Sequence, residues 1–255
     1  MCTVVVLVRP GHRYPVLIAA NRDEMNGRAW RAPGSHWPDH PGIIGGLDEL
    51  AGGTWLAANQ AGLVAAMLNR PDSLGPQDGK KSRGELPLMA LEAVDLASAV
   101  GRITVIDGSE YRSFNMLIAG PEGAVWVRFS GDETDGHPTA QAIPEGLHML
   151  TAYDLDDMES ARIRRHLPLF RAAAAPEPDT GDWSAWIERL ADRGSESGSG
   201  ESGAMTIGGT TGFGTVSSSL LALEDHHRAP IWLFAGGQPD KVSFDHIVTH
   251  TTDCV

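Results

Sequence analysis

The sequence predicts an α+β protein built on antiparallel sheets. Apolar, β-branched runs come in pairs separated by short turns bearing Gly or Pro, the pattern of hairpins. The segments of helical period are grouped rather than alternating with the strands, which argues against a parallel sheet. At 255 residues and 42% hydrophobic, the chain has enough apolar material for one large core, and it is read as one domain over residues 1–255.

The first pair is Thr3-Val4-Val5-Val6-Leu7-Val8 and Val16-Leu17-Ile18-Ala19-Ala20. A loop over residues 10–13 makes Arg9 face Tyr14 and Cys2 face Asn21, with Arg22 and Asp23 just beyond. Residues 28–39, rich in Pro, Trp and Arg without a period, are read as loop, and Gly45-Gly46 and Gly52-Gly53 punctuate the next stretch. Residues 54–58 and 63–68 form a second hairpin in which Ala58 faces Leu63, and Asn69 stands at its end. Ser82-Arg83-Gly84-Glu85 has capping-box spacing, and Leu86, Met89, Ala90, Ala93, Ala97 and Val100 continue it as one core-facing helix.

A third hairpin covers residues 114–119 and 124–129, turning at Gly120-Pro121-Glu122-Gly123, and residues 147–151 make a short strand. Asp156 to Glu159 again has capping spacing, so a helix opens there and runs to about residue 175, with Arg162, Arg164, Arg165 and Arg171 as its solvated face. A Trp-bearing helix covers residues 182–193. The Gly/Ser/Glu stretch 194–203 has the composition of a flexible loop. Residues 214–223, 230–235 and 242–248 read as three closing strands.

Chemistry concentrates where Cys2 meets the Asn21-Arg22-Asp23-Glu24 block. Removal of Met1 would leave Cys2 with a free α-amine of pKa roughly 7.7–8, able to act as base for its own thiol. Arg22 would favour the thiolate and Asp23 would hold the ammonium, so Cys2 is expected to alkylate below pH 8, ahead of Cys254. The pleat sends Arg22 and Asp23 to opposite faces, so bringing both to the thiol requires a bulge around Asn21-Arg22. The alternative is a small buried cysteine beside a strand-end ion pair. Asn69 is a candidate oxyanion donor, or an Asn stabilising the turn before Pro71.

Composition excludes other classes. A net charge of −13 with no basic block argues against nucleic acid. No run approaches the ~18–20 apolar residues of a membrane span. The start of the chain is a poor signal peptide, and two cysteines near opposite ends offer neither a disulfide framework nor metal spacing; a reduced, cytoplasmic protein with no cofactor or metal is expected. A third arrangement, a thiol or metal site, would join Cys2 to His12, His226 or His227, which otherwise read as surface histidines.

Met1-Cys2-Thr3, Ala20-Asn21-Arg22-Asp23-Glu24, Gly52-Gly53-Thr54-Trp55, Ser82-Arg83-Gly84, Phe114-Asn115-Met116-Leu117 and Gly214-Thr215 stand in an order that resembles the NRDE family, also called transport and Golgi organisation protein 2-like. The resemblance implies a branch of the N-terminal nucleophile hydrolases and hence a four-layer αββα sandwich, two antiparallel sheets between helices. Relatives of that fold, the choloylglycine hydrolases and penicillin V acylases, cleave amide bonds with an N-terminal Cys. Carried onto this chain, it implies Cys2, Arg22, Asp23 and Asn69 as catalytic positions and Asn21, Glu24 and Arg83 as substrate-binding ones. Two positions depart from the pattern: Ala152 and Val216 stand where an Asn and an Arg are common. The resemblance leaves two functions: hydrolysis of a small acyl-amide, or non-catalytic carriage of haem or acyl-coenzyme A, which eukaryotic members are associated with.

Overall fold

A computed structural model describes residues 2–131, 133–196, 198, 200–226 and 228–249. In chain order it contains β1 (Thr3–Val8), β2 (Val16–Met25), β3 (Trp30–Gly34), β4 (Ile43–Asp48), β5 (Thr54–Asn59), β6 (Val64–Asn69), α1 (Leu86–Leu91) and α2 (Leu96–Thr104). Next come β7 (Phe114–Gly120), β8 (Gly123–Phe129), β9 (Thr139–Ala142), β10 (Gly146–Leu150), α3 (Ala161–Ala172), α4 (Ser184–Leu190), β11 (Phe213–Leu223), β12 (Ile231–Ala235) and β13 (Asp245–His246). The strands make two antiparallel sheets, one of order β10-β1-β2-β11-β12-β13 and one running β3 to β9 in sequence.

The period-two alternation of the strands sorts their side chains into three cores. Val4, Val6, Val8, Val16 and Ile18 meet Leu56, Ala66, Leu68 and Leu117 between the sheets. Val5, Leu17 and Ala19 face the other way, onto Ile163, Phe170 and Trp186 of α3 and α4. On the far side Ala65, Met116 and Ile118 pack against α1 and α2 through Leu86, Leu91 and Ile103. Helices, sheet, sheet, helices is the αββα sandwich.

Both early hairpins differ from the expected register by one residue. Thr3, not Cys2, faces Asn21, and Leu56 faces Ala66. Directly opposed residues of an antiparallel pair share a face, and a one-residue slip would put core residues of one strand opposite outward residues of the other. The loops are therefore one residue longer. Tyr14 leaves the ladder to bury its ring and donate its hydroxyl to Asp179 (2.7 Å), while Arg9 N–H bonds Pro15 O. In the second loop Gly62 takes φ +85°, and a Cβ there would also meet Arg228 O at 2.8 Å.

Other segments are less regular than their patterns predict. The helix expected from Leu86 is two helices, because Asn59 Nδ2 takes the Leu91 and Ala93 carbonyls and Asp95 caps α2 through Ser98 N–H. Asp156 does not open α3; it lies at φ +56° and binds His148 and Met149 N–H, and Ser160 is the cap. Within residues 28–39 there is a strand, β3, whose Trp30 packs edge-on to Trp55 and Phe234. The last expected strand shrinks to Asp245–His246. Of the 194–203 stretch, Ser197 and Ser199 lie outside the described residues, as do His227 and Cys254. The described part is anchored by Arg164–Glu196 at 2.6 Å and by His166 on Gly203 O.

Candidate active site

Extending the β1–β2 register by one step places Cys2 level with Arg22, both on the face between the sheets. There they line one narrow cavity with Val4, Ala20, Ser217 and Ser219 on one wall and Trp55, Leu56, Ala66 and Leu68 on the other. Its volume is about 20 Å³, room for roughly one or two waters. The Cys2 thiol donates a long bond to Asp23 O, at 3.9 Å.

Arg22 is 4% exposed. Its guanidinium carbon lies 4.0 Å from the Trp55 ring centroid and 5.9 Å from that of Trp30, so cation–π contacts hold it on two sides. Glu24 and Asp48 approach Arg22 at 3.9 and 3.8 Å, and Arg28 binds Asp48 at 2.7 Å. Nη1 of Arg22 has no hydrogen-bond partner among the described residues.

Asp23 lies on the opposite face, as the pleat requires. Its carboxylate accepts from Arg162 Nη1 and from Thr215 Oγ1, each at 2.7 Å, and the same Arg162 nitrogen reaches Thr3 Oγ1 at 2.6 Å. The Arg162 and Asp23 side chains are 3% and 0% exposed, so this is a buried ion pair. Arg162 is thus not on the solvated face expected for it; it lies on the buried stripe of α3 with His166 and Phe170. The spacing of four along 162, 166 and 170 is the signal that could have found it.

A bulge is present, but on the neighbouring strand. Thr215 faces Asp23 and Ser217 faces Arg22, so Val216 is the extra residue of β11. In a regular strand Thr215 and Ser217 would share a face; the bulge turns one toward Asp23 and the other toward the cavity.

The remaining predicted positions divide. Asn21, 0% exposed, spends its side chain on Leu190 O, Met205 O and Ser218 Oγ on the helix side. Glu24 accepts from Met25 N–H and joins the charge cluster around Arg28. Arg83 donates to Ser73 Oγ, Ser73 O and Ser113 O, bracing the segment after β6 away from the cavity lining. Burial, and then repulsion from Arg112, push the Arg83 pKa down to about 10. Asn69 ends β6 next to Leu68, a cavity residue, and opposite Phe114.

Sequence reasoning missed Asn115, which is 0% exposed on the strand beside β6. It accepts from Arg70 and Trp126 and donates to Thr151 O and Tyr153 O, tying down the segment that holds Ala152. His12 caps the β1–β2 loop through Tyr14 N–H. His226, just past β11, pairs with Asp225, whose own N–H bonds Arg13 O in that same loop. Both histidines are at the opposite end of the strands from Cys2, which rules them out as its partners, and among the described residues no group of three metal-ligating side chains occurs. No helix among the described residues is long and apolar enough to cross a membrane.

Burial pushes the Cys2 thiol above its ordinary value; the positive chain terminus and Arg22 pull it down, and the Asp23 charge adds to the rise. The expected activation below pH 8 belongs to the chain without Met1, in which the α-amine sits on Cys2 itself; with Met1 in place the direction is upward. Protein retaining Met1 should therefore carbamidomethylate at Cys2 slowly at pH 7, accelerating only above the usual thiol range. A mass-resolved rate profile with half-maximum below pH 8 would contradict this.

Residues 1–196 match the family described as Transport and Golgi organisation 2. The chain belongs to that family. No curated protein matches it. Among solved structures, the Caenorhabditis elegans ortholog of N-acylethanolamine-hydrolyzing acid amidase is similar at TM-score 0.54 and 11% identity, over 86% of this chain and 92% of that one. Two mutant forms of the conjugated bile acid hydrolase of Clostridium perfringens are similar at TM-scores 0.54 and 0.55 and 13% identity, over 99% of this chain and 94% of theirs. These likenesses establish that this Transport and Golgi organisation 2 member has the N-terminal nucleophile hydrolase fold.

Proposed function

We propose that this chain is an amidohydrolase of small acyl-amides, with Cys2 as nucleophile once Met1 is removed. The observation that carries the reading is the shared cavity face of Cys2 and Arg22, in a fold whose similar structures are named as an acid amidase and a conjugated bile acid hydrolase. The α-amine takes the thiol proton and the sulfur adds to the amide carbonyl carbon. The C–N bond then breaks, the amine leaves with that proton, and water hydrolyses the thioester to the free acid. Arg22 favours the thiolate, and Asp23, whose carboxylate is held by Arg162 and Thr215 on the helix-side face, fixes β2 level with Cys2. Asn69 is carried over from the family pattern as an oxyanion donor, although β6 sets it on the helix-side face with Phe114, so that role requires the strand end to turn toward the cavity. We place the enzyme in the cytoplasm, where a free thiol is kept reduced. A cavity of about 20 Å³ favours a small acyl group and lends no support to carriage of haem or acyl-coenzyme A.

The test is an intact mass and then a panel of short acyl-amides. Mass should show the loss of Met1, wild type should turn over at least one amide, and Cys2→Ala should lower that rate by about 10⁴ or more while the protein stays folded. Retained Met1 removes the amine-base step; turnover unaffected by Cys2→Ala removes the mechanism.

A further inference from the structure

Ser217 and Ser219 have no part in the amide cleavage just described, yet both face the cavity that holds Cys2. They are 1% and 2% exposed, and neither hydroxyl hydrogen-bonds to another described residue. Two hydroxyls opening on the cavity without a protein partner, beside the buried and unpartnered Nη1 of Arg22, ask for an acceptor that enters it. Ser217 is there only because Val216 is inserted as a bulge; without it, the residue facing Arg22 would not be Ser217. Bulges recur beside active sites because they re-aim single side chains.

The wall also limits what kind of acceptor fits. Arg22 and Arg28 are balanced by Glu24 and Asp48, so the wall offers donors without net positive charge. That suits a neutral oxygen better than a carboxylate or phosphate. Val4, Ala20, Trp55, Leu56, Ala66, Met67 and Leu68 make most of the remaining lining apolar, and the space is water-sized. We infer that Ser217 and Ser219, with Nη1 of Arg22, bind the carbonyl oxygen of a short, uncharged acyl group placed at Cys2. This rests on the hydrolase reading and deepens it: the substrates are amides of small apolar acids, and the serines stand in for donors that Ala152 and Val216 do not supply.

The experiment uses two small alkylating agents that differ in the carbonyl. Iodoacetamide carries an amide oxygen; iodomethane does not. Rates of modification at Cys2 are measured by mass spectrometry for wild type, Ser217→Ala, Ser219→Ala and the double variant, each checked for folding by thermal unfolding. Losing one hydrogen bond to the carbonyl should slow iodoacetamide about fivefold per serine, and leave iodomethane within about twofold. A ratio of the two rates unchanged in both variants overturns the proposal. So does an equal slowing of both reagents, which would mean the serines act on the thiol itself. If one variant fails to fold, the other carries the test. Absence of amide turnover in wild type would remove the hydrolase reading while leaving this ratio interpretable.

Discussion

Arg162→Met is expected to destabilise the protein by about 3–5 kcal/mol, the usual cost of leaving one buried charge without its partner. Methionine keeps most of the side-chain length, so little packing is lost with the charge. What is lost is the 2.7 Å pair with Asp23 and the 2.6 Å bond to Thr3, both in a region closed to water. Asp23 would keep its bond from Thr215 but lose the buried cation that faces it. For a chain of this size the loss corresponds to a fall in melting temperature on the order of 10 °C. Adding Asp23→Asn in the same background should recover part of it, because the buried negative charge is removed along with the cation that faced it. Denaturant titration of the two single variants and the double variant checks this. A loss below about 1 kcal/mol for Arg162→Met would match a surface pair instead and sink the argument.

Asn115→Leu should cost a similar amount, about 3–5 kcal/mol, although leucine has nearly the right volume. The four hydrogen bonds of Asn115 join β7 to Arg70, Trp126 and the carbonyls of Thr151 and Tyr153. Leucine leaves those partners facing an apolar group, and each orphan costs about 1–3 kcal/mol unless it finds water. Arg70 suffers least, because Nη1 also binds Asp154 at 2.7 Å. The Thr151–Tyr153 segment should loosen as well, seen as faster backbone hydrogen exchange around Ala152. Unchanged stability with unchanged exchange would show that the two carbonyls are solvated and that Asn115 clamps nothing.

Much of the layering is legible in the order of residues. Alternation in Thr3 to Val8 and in residues 114–129 is a local property of the chain, and strands arise from it wherever one face must be buried. β3 and β9 escape a reading of pattern for the complementary reason. Trp30–Gly34 and Thr139–Ala142 are edge strands, held by pairing along one side, and they need no apolar alternation. The register of the first hairpin shifts by one because loop length depends on where Tyr14 buries its ring, a contact with Asp179 far along the chain.

Residue order alone sets the chemistry that could occur: a thiol at position 2, the Asn-Arg-Asp-Glu block on the paired strand, and sheets with helices grouped beside them. Those arise from short-range patterning, which propensity and the period of two dictate. Which of those groups meet depends on how the layers pack. Cys2 and Arg22 share a face because the core fixes the parity of the hairpin, whereas Asp23 is turned to α3 and neutralised by Arg162, 139 positions later in the chain. Ser217 reaches the cavity through a bulge at Val216 that no local signal announces. Long-range burial sets such partners: a charge or hydroxyl withdrawn from water must be matched by whatever the packing brings beside it, and that neighbour is chosen by the layers, not by the adjacent residues.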